Sequence, residues 1–176
     1  SPCPVSTSST APGSAAIDPE RVWFRFMRLH QRLLGQMSAR IRALGLSIPQ
    51  FDLLSTLTER EGISQSELAE RLYVTKGNVS GLVDRMVQAG LVERRAISGD
   101  RRSYAMHLTP EGRRLAEAGI AAQRAFVAST LGKVEPADLA ELDRVVLIWR
   151  DLSRALDGQS RAASGRLRGA SAARQR

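Results

Sequence analysis

The segment Ser64 to Gly112, SQSELAERLYVTKGNVSGLVDRMVQAGLVERRAISGDRRSYAMHLTPEG, constrains the fold of this chain more than any other. Ser64 and Glu67 have the S-x-x-E spacing of a capping box, in which side chains satisfy the first orphan amides of a helix. Leu68, Ala69 and Leu72 give that helix an apolar face. Tyr73 and Val74 lead into a turn, and Thr75 is placed to cap a second helix. Val79, Leu82, Val83 and Met86 then recur at helical spacing and should face a core, and Gly90 ends the helix.

Two strands follow. Leu91–Ala96 and Ser103–Leu108 flank Ile97-Ser98-Gly99-Asp100-Arg101-Arg102, a turn carrying two guanidinium groups. Tyr104, Met106 and Leu108 alternate, as one buried face of a hairpin requires. Thr109-Pro110-Glu111-Gly112 restarts a helix with a cap, a proline at the first helical position and an acid in the first turn. Two short helices, a hairpin with a basic tip and a new helix make a winged helix-turn-helix.

The polar face of the second helix carries the chemistry. Lys76, Gly77, Asn78, Ser80 and Gly81 are small, polar or basic, and Arg85 extends their face. A helix entering the major groove needs such residues, because a close backbone must leave donors and acceptors at the base edges. Arg101, Arg102 and Ser103 at the wing tip suit a narrow minor groove or its phosphates, and Asp100 orients an arginine or closes the turn. Ser64 and Gln65, at the start of the first helix, complete the expected duplex-DNA contacts, together with Thr75. A solvated hairpin or an ordinary capped helix pair would explain each element singly; their combination with positive charge points to DNA.

These residues also carry a family resemblance. The segments Gln50-Phe51-Asp52-Leu53-Leu54, Ser64 to Leu72, Val83-Asp84-Arg85-Met86, Gly90 to Arg94, Asp100 to Ser103 and Leu108 to Gly112 resemble the MarR family of bacterial transcriptional regulators. The D-x-R of the wing, Asp100 and Arg102, is the family's most characteristic element, and the likeness spans about Glu20 to Leu156. It implies a homodimer with two wings that leaves DNA when a small molecule or oxidant binds. It names neither a subfamily nor an effector.

Around this head the chain is mainly α. Asp18-Pro19-Glu20 starts a long helix running to about Ala43, with Trp23, Phe26, Met27, His30, Leu33, Leu34, Met37 and Ile41 at three- and four-residue spacing. Ser47-Ile48-Pro49-Gln50 opens another. A helix from Pro110 to about Leu131 and a last one from near Pro136 to Leu156 follow. The expected organisation is a disordered segment 1–17, an N-terminal dimerisation helix 18–46, a winged helix-turn-helix 47–109, C-terminal dimerisation helices 110–156 and a disordered basic tail 157–176. Leu139, Leu142, Val146, Trp149 and Leu152 form the expected dimer stripe. An intramolecular bundle is the alternative use of the same helices. Two-fold symmetry fits a palindromic duplex, whose half-sites about 34–36 Å apart offer equivalent grooves on one face.

Charge supports a polyanionic partner. The chain carries a net +8, of which the last twenty residues supply +4 and the first twenty −2, leaving +6 for the middle. An effector pocket is expected among Trp23, Phe26, His30, Met37 and Asp52, although a lone His on an apolar face is more often a core residue and a structural role is favoured for Asp52. Arg40 and Arg42 are either solvated or placed to meet an anionic ligand. The single cysteine, Cys3, lies between two prolines where nothing would lower its pKa, so redox sensing is not expected. One cysteine and two scattered histidines, His30 and His107, give no metal site, and no cofactor is expected. No nucleophile elbow, P-loop or dinucleotide fingerprint occurs, so no enzyme is expected. The absence of an apolar run of membrane-spanning length or a secretory signal leads to the expectation of a cytoplasmic protein without a membrane partner. The functional expectation is a repressor released from a palindromic operator by an aromatic or carboxylic acid effector. An architectural DNA binder without effector control, or a protein-interaction winged helix, is the alternative.

Overall fold

The computed structural model describes residues 16–73, 75 and 77–173, and for 101–102 and 160–173 the backbone alone. The segment 1–15 with Cys3, and Lys76, lie outside the described residues. The elements in order are α1 (Pro19–Arg42), α2 (Ile48–Glu59), β1 (Ile63–Ser64), α3 (Gln65–Arg71), α4 (Val79–Gln88), β2 (Val92–Ile97), β3 (Asp100–Leu108), α5 (Pro110–Ser129), a 3-10 turn (Leu131–Lys133) and α6 (Pro136–Ala173). This is the expected mainly α fold with a small antiparallel sheet.

The helix ends follow their local chemistry. Asp18 caps α1 by accepting the Glu20 amide at 3.0 Å. Ser47 and Gln50 form a full capping box at α2, and Ser64 with Glu67 does the same at α3. Gly90, at φ 70°, takes the left-handed conformation that ends α4, so that Leu91 N–H reaches the Met86 carbonyl.

The described residues fall into two compact units that divide after Gln123, inside α5. In the first unit α2 is the hub, with Phe51, Leu53, Leu54 and Leu57 all buried. Around it the core collects Ile41 and Leu46, then Leu68 and Leu72, then Leu82, Val83 and Met86, then Val92, Met106, Leu108 and Ala116. The sheet order is β1-β3-β2. The strand β1, too short to show an alternation in the sequence, pairs Ile63 with Met106.

Three expectations change. Tyr104 is 45% exposed, so only Met106 and Leu108 form the buried face of β3; the hairpin outruns the core at its tip. Thr75 is not the cap of α4: Asn78 is, three residues later. The basic tail is not a separate coil, because α6 continues through 157–173. Scarcity of large apolar side chains argued for a tail, but helix formation needs only backbone-compatible residues. No proline follows Pro136, and Ala, Arg and Leu are good helix formers.

In the second unit, Leu139, Leu142, Val146, Trp149 and Leu152 are all exposed, Leu152 by 65%.

Candidate nucleic-acid interface

The reading face is built from the N-terminal turns of α3 and α4 and from the wing. Leu82, Val83 and Met86 anchor α4 in the core, which leaves Gly77, Asn78, Ser80 and Arg85 exposed and Gly81 half-buried. Asn78 Oδ1 accepts the Gly81 amide at 2.9 Å. Its amide nitrogen keeps donors available, while its oxygen is committed to the cap.

The approach to α4 is set from below by Asp52. This α2 residue is 4% exposed. Its Oδ1 accepts the Tyr73 amide at 3.0 Å and its Oδ2 the Thr75 amide at 2.9 Å. With the Tyr73 and Thr75 amides drawn down to this carboxylate, neither residue begins the helix, which explains the late start of α4. Thr75 Oγ1 is buried without a hydrogen-bond partner. Its hydroxyl is therefore not on the reading face where the sequence suggested it.

Two side-chain ties fix the reading face. Gln65 Nε2 donates to Ser80 Oγ at 3.1 Å, joining α3 to α4. An ion pair between Arg94 and Asp84 joins β2 to α4. Neither tie is legible in the sequence, since each joins residues whose proximity depends on helix packing. The Ser64 hydroxyl accepts the Glu67 amide at 3.1 Å, so its first role is capping.

The wing is irregular where it matters. Ala96 pairs with Tyr104, but Ile97 pairs with Asp100, so Arg101, Arg102 and Ser103 stand as an extra length of β3 between the two pairs. Such a bulge re-aims side chains and bends the strand. Ser103 Oγ donates to Asp100 Oδ2 at 2.5 Å, which ties the two ends of the bulge together.

The base of the wing is clamped by Glu61. Its Oε1 accepts the Leu108 amide at 2.8 Å, and its Oε2 accepts from Arg113 Nη2 at 2.6 Å. His107 Nδ1 lies 3.8 Å away. Partial burial alone would raise the Glu61 carboxyl, but the Leu108 amide, Arg113 and His107 hold it below its ordinary value. Glu59 accepts the Tyr73 hydroxyl at 3.0 Å, which raises the phenol above its usual range.

The residues considered for an effector divide into two groups. Trp23, Phe26 and His30 lie exposed on the first half of α1, with the Phe26 and His30 rings stacked at 6.2 Å. Met37, about 21 Å further along the helix axis from Trp23, packs on the core, as does buried Asp52. Both Asp52 oxygens already serve backbone amides, a structural use. Among the described residues no cluster of His, Cys, Asp and Glu suited to a metal is found, and no helix is long and apolar enough to cross a membrane.

Comparison with known proteins places this geometry. The model of the MarR family matches residues 44–103. The chain is similar to the HTH-type transcriptional repressor Mb2911 of Mycobacterium bovis, 30% identical over 129 residues that cover 73% of this chain and 93% of that protein. Its fold is similar to that of Streptococcus pneumoniae FabT in complex with DNA, at a TM-score of 0.70 and 19% identity over 79% of this chain and 99% of that one. It is also similar to the organohalide-sensing regulator RdhR-CbdbA1625 in its 2,4-dichlorophenol-bound form, at a TM-score of 0.66 and 15% identity over 84% and 88% of the two chains. With the capped helix pair, the wing and these relatives in agreement, the chain belongs to the MarR family and is a winged helix-turn-helix transcriptional regulator that binds DNA.

Proposed function

We propose that this protein is a homodimeric repressor that holds a palindromic operator and releases it when a small aromatic or carboxylic acid effector binds. The observation that carries the reading is the division of α4: its apolar side is locked in the core while Gly77, Asn78, Ser80 and Arg85 face outward. Lys76, Asn78, Ser80, Gly81 and Arg85 then meet the major groove, Ser64 and Gln65 meet its edge, and Arg101, Arg102 and Ser103 meet the flanking minor groove or its phosphates. Thr75 supports the turn through its backbone.

The dimer is supported by the exposed apolar stripe of α6, Leu139, Leu142, Val146, Trp149 and Leu152, and by exposed Val22, Trp23, Phe24 and Phe26 on α1. Exposed apolar surface on this scale marks an interaction site. The effector reading is supported by the stacked, exposed Phe26–His30 pair. The dichlorophenol-bound relative shows a protein of this fold holding an aromatic ligand. An effector acts only if it binds the DNA-incompetent arrangement more tightly than the competent one.

Selection from random duplexes tests the reading. The wild type should enrich a palindrome, and Arg102→Ala should weaken its binding by about 1–3 kcal/mol at fixed salt. Small aromatic and carboxylic acids that raise the melting temperature should lower affinity for that palindrome. Enrichment of no sequence, with unchanged affinity in Arg102→Ala, would overturn the repressor reading.

A further inference from the structure

Gln65 and Ser80 stand fifteen positions apart in sequence, one opening α3 and the other in the first turn of α4, yet their side chains meet. Gln65 is half-buried and Ser80 exposed. The bond is directional: Gln65 Nε2 donates to Ser80 Oγ at 3.1 Å.

A primary amide has two N–H donors and one oxygen, and a serine hydroxyl has one donor and two lone pairs. The shared bond uses one amide hydrogen and one lone pair. It leaves the Gln65 oxygen and second N–H unused, and it fixes which end of the amide lies against α4. A long glutamine side chain otherwise loses substantial rotamer entropy when it orders on a ligand. Here part of that ordering is already done in the free protein. The remaining oxygen and N–H are the pair with which glutamine recognises adenine, accepting from N6 and donating to N7. Serine alone discriminates poorly, because its hydroxyl pairs with any base.

Resting on the DNA-contact reading above, we propose that Gln65 is a base-reading residue for adenine in an A·T pair and that Ser80 is its positioning residue, the two acting as one unit. Ser80 holds the amide by its hydroxyl, and the amide reads the base.

Selection from random duplexes, followed by anisotropy titrations on the duplex enriched by the wild type, tests the pair. Gln65→Ala and Ser80→Ala should each relax the preference for adenine at the same base pair. Each should lose about 5-fold or more in affinity for the enriched duplex. The double variant should be no worse than the poorer single, since each removes the same interaction. Ser80→Thr keeps the hydroxyl and should retain the preference, a result that a helix-packing role alone would not require. Neither side chain belongs to the apolar core, so melting temperatures should stay near the wild type. Relaxation at two different base pairs, losses that multiply, or equal weakening on all sequences would each overturn the unit. Enrichment of no duplex by the wild type is a separate outcome that overturns the operator-binding reading itself.

Discussion

Asp52 accepts the Thr75 backbone amide at 2.9 Å from inside the core, so an acid on α2 determines where α4 begins. Because the same carboxylate also holds the Tyr73 amide, its loss strands two donors. Asp52→Ala should destabilise the protein by about 2–4 kcal/mol, from two hydrogen bonds to a charged group. Asp52→Asn, which keeps one acceptor oxygen, should cost less. Urea denaturation gives the stability. Anisotropy at a temperature where both variants are folded should show weaker DNA binding. Full DNA affinity in folded Asp52→Ala would show that the turn holds its shape without the carboxylate.

Asn78 both caps α4 and faces outward, and substitution separates the two roles. Asn78→Ala should cost about 0.5–2 kcal/mol of stability as the cap is lost. Asn78→Asp keeps a capping oxygen, so its melting temperature should stay close to that of the wild type. It places a carboxylate among phosphates, however, and DNA affinity should fall on every sequence. An Asp variant that binds as tightly as the wild type would remove Asn78 from the interface.

Gly112 lies where α5 leaves the sheet. A Cβ there would sit 1.9 Å from the Leu91 carbonyl oxygen, a backbone atom that cannot move aside as a flexible side chain would. Gly112→Ala should therefore cost at least about 3 kcal/mol, at the upper end for overpacking. Gly158 in α6 has nothing within 4 Å of the same position. Gly158→Ala should instead stabilise its helix by up to about 1 kcal/mol. Thermal melts of the two variants should move in opposite directions.

The Glu61 clamp makes stability depend on pH with a definite sign. Its carboxyl titrates below the ordinary 4.5 in the folded protein, because Leu108 N–H, Arg113 and His107 together outweigh partial burial. The stabilisation is thus present above the unfolded value and fades as pH falls through the lower folded value. Glu61→Gln should be less stable than the wild type near neutrality, and the gap should close on acidification below about pH 4. Urea midpoints measured from neutral to acid pH would check this. A gap of constant size would show that the charge on Glu61 contributes nothing.

On α6, Trp149 and Leu152 lie on the exposed apolar stripe. Trp149→Ala should cost about 3–5 kcal/mol of dimer stability if the side chain is packed between protomers. Sedimentation at micromolar concentration should then reveal monomers. DNA affinity should drop although no contact residue has changed, because a single head loses the avidity of two linked half-sites. A variant that remains fully dimeric would place the interface elsewhere.

Much of this molecule is written locally. The capping box at Ser64, the helix start at Ser47, the proline starts of α1 and α5 and the glycine stop at Gly90 act within a few residues, and each appears where the sequence indicates. Residues facing the core from α4 were equally legible, since helical periodicity alone separates Leu82, Val83 and Met86 from Ser80 and Arg85. The motif around the wing carried the family as well. Less visible was Tyr104, whose alternation with Met106 suggested burial: periodicity tells which face a strand shares, not how far the core extends along it.

The long helices, the helix pair, the hairpin and the family were legible in the residues alone, because capping, turn chemistry and apolar period are short-range properties; β1 and the continuation of α6 beyond Leu156 were not. The packed fold set the start of α4 at Val79, the cap at Asn78 rather than Thr75, and the reach of Gln65 to Ser80. It also decided that Glu61 holds β3 and α5 together. The hold on Thr75, the Gln65–Ser80 tie and the Glu61 clamp each depend on a polar group meeting a partner from 15 to 52 positions away. Such meetings arise when apolar packing brings distant elements together and buried donors must then find acceptors.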